Sequence, residues 1–161
     1  MLAASRLRLA DTALAAPAAT APVLRVLSRT DAAIFTTIAE RIVFTGDAAM
    51  PSFRDTAGLT TVDAALLQLP ADQRRQLHYG LLAFEYMPVV MIRRLARFTR
   101  LAPEAQDRYL AAWAASDWEM CRLGFEAFKN LSMLGYYADE KTWKGIHYDG
   151  PWVPRPRRKV A

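Results

Sequence analysis

Few side chains in this 161-residue sequence could do chemistry, and their spacing limits what that chemistry could be. There is one cysteine, Cys121, and there are two histidines, His78 and His147. Zinc needs three or four ligands at recognisable intervals, and a Cys/His nucleophile needs an orienting partner; neither set is present. Glu119 and Glu126 stand seven residues apart, on one face of an expected helix. Glu85 lies among apolar residues, where a carboxyl group can be held neutral and act as a base. It can equally pair with an arginine of a neighbouring helix, the simpler reading. No Glu-x-x-His pair, Gly-x-Gly-x-x-Gly loop or Gly-x-Ser-x-Gly elbow occurs. No catalytic, cofactor-binding or metal site is therefore read in the chain, and an enzyme built on Glu85 or Glu119 is the least supported class.

Two other clusters suggest binding. Arg93, Arg94, Arg97 and Arg100 form the densest basic group of the body. On a helix, Arg93, Arg97 and Arg100 would share a face able to grip phosphates. The plainer reading is a solvated helix C-terminus, where cations complement the dipole. No second basic helix accompanies them, so nucleic acid is not expected; contact with a protein or an anionic membrane surface is the functional alternative.

The second cluster is aromatic. Phe125, Phe128, Tyr136, Tyr137, Trp143, Tyr148 and Trp152 supply seven of the seventeen aromatic residues within twenty-eight positions. Aromatic side chains bury large areas and are enriched at protein interfaces. Asp149-Gly150-Pro151 reads as a turn, after which Trp152-Val-Pro-Arg-Pro can be neither regular helix nor central strand. Such a tail lies along a surface, its own or a partner's.

The elements that must carry these residues are helices divided by Pro, Gly and capping residues. Ile34, Phe35, Ile38, Ile42 and Val43 mark an amphipathic helix over 31–44, with Thr30 as N-cap. Residues 47–58 read as a long loop. A short helix follows over 61–69, capped by Thr60 or Thr61 and stopped by Pro70. A third starts near Asp72, is kinked or divided at Pro88, and resumes to about Phe98. Pro103-Glu104 opens a fourth. Ser116-Asp-Trp-Glu119 matches a capping box, so a fifth runs from there to Tyr137, separate from the fourth or continuous with it. Residues 139–146 form a last short helix. The expected architecture is all-α: one compact bundle of five to six helices over 27–146, an arm over 1–26 and an extended basic tail over 147–161. Cys121 falls inside the fifth helix and reads as a small buried hydrophobe.

Composition agrees with a packed domain: 53% of residues are hydrophobic, which excludes a disordered or collagen-like chain. The formal charge of +5 is concentrated at one end. Four of the twenty-one positive side chains, Arg155, Arg157, Arg158 and Lys159, lie in the last seven residues. Residues 1–150 thus carry seventeen positives against sixteen negatives. The Ala-rich start, broken by Asp11 and Thr12, lacks the uninterrupted apolar run of a signal peptide. The run from Tyr79 to Ile92 is too short, and too interrupted by Glu85 and Pro88, to span a bilayer. A cytoplasmic chain, free or peripheral to the inner membrane, is expected.

The segment Phe128-Lys-Asn-Leu-Ser-Met-Leu-Gly-Tyr-Tyr-Ala-Asp-Glu-Lys-Thr-Trp-Lys-Gly-Ile-His-Tyr-Asp-Gly-Pro-Trp152 carries a family resemblance. It resembles the end of the small helical subunit of bacterial gluconate 2-dehydrogenase-type complexes. It is also similar to the helical N-terminal extension of long-chain alcohol oxidases of the glucose–methanol–choline family. The pattern is an aromatic pair, a short helix carrying Trp, and an Ile-Gly-Tyr-x-Gly-Pro turn. Tyr136 and Tyr137, Trp143, Ile146, Tyr148, Gly150 and Pro151 fill those places, with His147 where the pattern has Gly and a turn of different shape therefore expected. The start, from Leu27 through Ile42-Val43, is similar to the family's first helix, with Phe44 where a Pro is usual.

The resemblance implies a non-catalytic accessory subunit. Its partner would be a large FAD-containing oxidoreductase subunit acting on alcohols or sugars, with the flavin and the catalytic His in that partner. On this reading Tyr136, Tyr137, Trp143, Ile146, Tyr148, Gly150, Pro151 and Trp152 meet the partner. Arg93, Arg97, Arg100, Arg155, Arg157 and Arg158 add basic contacts. The chain has neither a twin-arginine signal nor a Cys-x-x-Cys-His haem site. The alternative is a peripheral membrane-surface adaptor that uses the basic helix face and the basic tail.

Overall fold

Phe84 is the centre around which the helices assemble. Its ring meets Phe98, Tyr109, Trp113 and Phe128 at centroid distances of 4.7, 4.8, 4.7 and 5.3 Å. These partners come from three further segments, so one ring ties four parts of the chain. The computed structural model describes residues 23–151. Among them the architecture is all-α: α1 (Arg29–Ile42), α2 (Gly58–Leu66), α3 (Ala71–Tyr86), α4 (Pro88–Met91), α5 (Pro103–Ala114) and α6 (Glu119–Tyr137), with no strand. Single 3₁₀ turns at Phe53–Asp55, Phe98–Arg100, Glu140–Thr142 and Lys144–Ile146 join or follow them.

α1 forms for the expected reason, an apolar stripe of Ile34, Phe35 and Ile38 that is almost fully buried. Its start is two residues earlier than expected. Ser28, not Thr30, is the N-cap: its hydroxyl oxygen accepts from the Asp31 N–H and the Asp31 carboxylate accepts from the Ser28 N–H, a capping box. Asp31 also accepts from His78 Nδ1 at 2.8 Å, tying α1 to α3. Arg41 and Asp107 join α1 to α5 through two parallel bonds of 2.7 and 2.5 Å.

The domain begins before residue 27, so the arm ends sooner than expected. The backbone N–H groups of Arg25, Val26 and Leu27 donate to the buried carboxylate of Asp63 on α2, at 2.7 to 3.0 Å. Burial pushes the Asp63 carboxyl up, but these three donors outweigh it and hold its pKa below the ordinary carboxylate value. Residues 25–27 are therefore part of the domain; residues 1–22 of the arm lie outside the described residues.

α2 starts at Gly58, not at the threonines, and the reason is a close approach. A Cβ on Gly58 would stand 2.7 Å from the Phe53 ring, and one on Gly135 of α6 only 2.8 Å from the Gly58 carbonyl oxygen. α2 and α6 meet backbone to backbone at this pair. The preceding loop is ordered by Phe53, 1% exposed, on its own 3₁₀ turn.

The largest correction follows Pro88. α4 lasts only four residues, and the helix does not resume to Phe98. Arg93 takes a positive φ of 53°, Arg94 N–H returns to the Pro88 carbonyl, and residues 92–97 run as an irregular loop into Phe98. Arg93, Arg97 and Arg100 consequently share no helical face. α6 is separate from α5 and ends at Tyr137 as expected, but Ser116 and Glu119 form no capping box. Trp118 is the N-cap, and its N–H donates to Ser116 Oγ. The expected last helix is two 3₁₀ turns.

Candidate partner-docking surfaces

Among the described residues, no group of three or more His, Cys, Asp and Glu could hold a metal ion. Glu85 is 4% exposed, yet its partner is not an arginine: both its oxygens accept from Thr99, one from the N–H at 3.1 Å and one from the hydroxyl at 2.6 Å. That pairing fixes the chain after the arginine loop and leaves Glu85 with a structural task. Glu119 is exposed, and Glu126 pairs with Lys129 at 2.7 Å. Ser28, Asp31 and His78 are linked, but Ser28 bonds Asp31 rather than His78, so the set caps a helix and is not wired for nucleophilic attack. Cys121 is buried at 4% exposure, as its pattern implied.

Two surfaces are built for contact instead. The first is the end of α6 and the turns after it, a knuckle over residues 137–151. Asp139 anchors it by accepting from the N–H groups of Lys141 and Ala57, which hold its carboxyl below the ordinary range. Lys141 Nζ donates to the Asp55 carbonyl, Thr142 is fully buried, and Trp143 Nε1 donates to the Tyr137 carbonyl. Around this frame Tyr137, Ile146 and Tyr148 remain 36%, 44% and 42% exposed, with Tyr148 packed edge-on against Trp143. His147 adopts φ 53° and ψ 38°, the left-handed conformation that Gly takes readily. The turn thus has the backbone form that Gly favours, without its residue. Gly150 follows at φ 105°, against the Trp143 ring.

Tyr136 leaves this set. It is 1% exposed, its hydroxyl donates to the Pro51 carbonyl at 2.7 Å, and burial raises its pKa. It is a core residue, because it falls on the α6 face that packs on α1 and α2. Gly150 and Pro151 close the described chain on the knuckle, whereas Trp152, Arg155, Arg157 and Arg158 lie outside the described residues.

The second surface was not read from the sequence. Between α3 and α6 lies an apolar groove of about 1030 Å³, lined also by Leu66 and Leu69. Met120, Leu123, Ala127 and Asn130 line it from α6 at intervals of three and four residues; Gln76, Gly80 and Ala83 do so from α3, and Met87 just after it. Met120 and Leu123 remain 69% and 57% exposed, and Trp118 at the rim 56%. On α6, residues 120, 123, 127, 130, 134 and 137 continue this interval to the knuckle. α6 therefore buries one face in its own core and offers a second, heptad-spaced face outward. The signal for it in the sequence is this second stripe beside the buried one. The arginines are exposed around their loop, and none of them lines the groove. No family model, curated protein or solved structure matches this chain.

Proposed function

We propose that this chain is a non-catalytic accessory subunit that binds and stabilises a large FAD-dependent oxidoreductase of the glucose–methanol–choline type. The flavin and the reaction on an alcohol or sugar belong to that partner. The observation that carries a binding role is the outward face of α6, where the exposed side of the apolar groove runs into the aromatic knuckle. Exposed Leu, Met, Trp and Tyr on a fixed frame are what a partner covers at small entropic cost. The choice of partner rests on the resemblance of residues 128–152.

Point variants test this better than truncation, because Asp139 and Thr142 hold the knuckle to the fold and would be lost with it. Ile146→Asp combined with Tyr148→Ala, and separately Leu123→Arg, change exposed side chains only. Each should leave the helical circular dichroism of the chain intact and weaken capture of a flavoprotein by a tagged chain at least about tenfold. Undiminished capture by both variants would remove α6 and the knuckle from the interface.

A further inference from the structure

The loop after α4 combines features that neither surface above uses. Leu95 is 94% exposed, the most exposed large hydrophobic side chain among the described residues, and Val90 on α4 is 61% exposed. Arg93, Arg94, Arg97 and Arg100 surround Leu95 in sequence, and no acidic residue occurs between Glu85 and Glu104. The loop is held at both ends. At its start Arg94 N–H closes on the Pro88 carbonyl at 3.3 Å. At its end Phe98 is fully buried against Phe84, and Thr99 is clamped by Glu85. Arg93, at φ 53°, holds a conformation that non-glycine residues adopt infrequently and that turns the chain away from α4.

We propose that this loop is a membrane-contacting element, which sets Leu95 and Val90 into the interface of an anionic phospholipid bilayer while the arginines pair with lipid phosphates. An exposed apolar side chain flanked in sequence by exposed cations gains nothing in water. At an anionic interface the apolar group leaves water, and each cation near the surface strengthens attachment roughly fivefold. Guanidinium groups also match phosphate oxygens two at a time. Nucleic acid would satisfy the arginines but offers no comparable apolar layer for Leu95 and Val90, so charge and hydrophobicity together favour lipid. The contact is peripheral, since no helix of the described residues is long and apolar enough to cross a membrane. None of residues 88–100 lines the α3–α6 groove, so the loop can meet lipid while α6 meets a partner.

The test is co-sedimentation of the full chain with vesicles of phosphatidylcholine alone or mixed with phosphatidylglycerol, at low and high salt. Binding is expected only to the mixed vesicles and should weaken with salt. Leu95→Glu should reduce it about tenfold, and Arg94→Gln with Arg97→Gln should reduce it by a similar factor at low salt. Both variants alter exposed side chains, so an unchanged helical circular dichroism spectrum is expected. Failure to bind mixed vesicles overturns the proposal. So does binding that Leu95→Glu leaves intact, which would assign the attraction to another basic segment such as 155–159. Loop-dependent binding to RNA or an acidic protein, without binding to vesicles, overturns it as well. Loss of the flavoprotein partner leaves this result untouched, because vesicles and purified chain are the only components.

Discussion

Gly135 of α6 passes Gly58 of α2 so closely that a methyl group on Gly135 would stand 2.8 Å from the Gly58 carbonyl oxygen and 2.9 Å from Val62. The carbonyl is backbone and cannot swing aside, so the two helices must separate to admit even alanine. Gly135→Ala should therefore cost about 2 kcal/mol, despite the better helix propensity of Ala. Thermal unfolding followed by circular dichroism checks this; an unchanged or raised midpoint would mean that the contact is looser than described.

Asp63 makes the start of the domain acid-sensitive. Its pKa lies below the ordinary value in the folded chain, as does that of Asp139. The unfolded chain therefore takes up these protons more readily. The stability they supply is complete above about pH 5 and is lost as pH falls below about 4. Asp63→Asn should lower stability at neutral pH and flatten its decline below about pH 4. A parallel decline in variant and parent would place the acid sensitivity elsewhere.

His147 and Gly150 both hold positive φ, yet substitutions there should have opposite outcomes. His147→Gly relieves a backbone constraint at an exposed site and should leave stability within about 1 kcal/mol of the parent or raise it. Gly150→Ala puts a side chain at φ 105°, 3.2 Å from the Trp143 ring, and should disturb the knuckle while the bundle stays folded. Near-ultraviolet circular dichroism reports the aromatic packing, with far-ultraviolet dichroism as the control for the helices. Equal effects of both substitutions would contradict the turn geometry.

The all-α class and the end of α6 were legible because each rests on local signals: apolar stripes, Pro103 at a helix start, and the chain turning after Tyr137. Caps were less legible. Ser28 and Thr30 both suit an N-cap, and only the bond from Asp31 back to Ser28 decides between them. The sequence predicts helix over residues 92–97 because nothing in Ile92-Arg-Arg-Leu-Ala-Arg97 breaks one. The helix ends there because Phe98 is drawn into the ring cluster around Phe84, and tertiary burial overrides local propensity. Tyr136 was misplaced for a related reason: an aromatic pair on a helix points two ways, and the contact with Pro51 lies eighty-five residues away. The groove was invisible because it is lined from both α3 and α6, whose placement beside each other no single segment encodes.

The most direct measurement is purification of a tagged copy of the full chain from its native host under mild conditions, followed by the absorption spectrum and mass of whatever comes with it. The expected result is a larger chain in fixed ratio whose spectrum is that of bound flavin, and which is lost with the Ile146→Asp/Tyr148→Ala variant. Purification of the chain alone, or with a partner that carries no flavin, would contradict the proposed role.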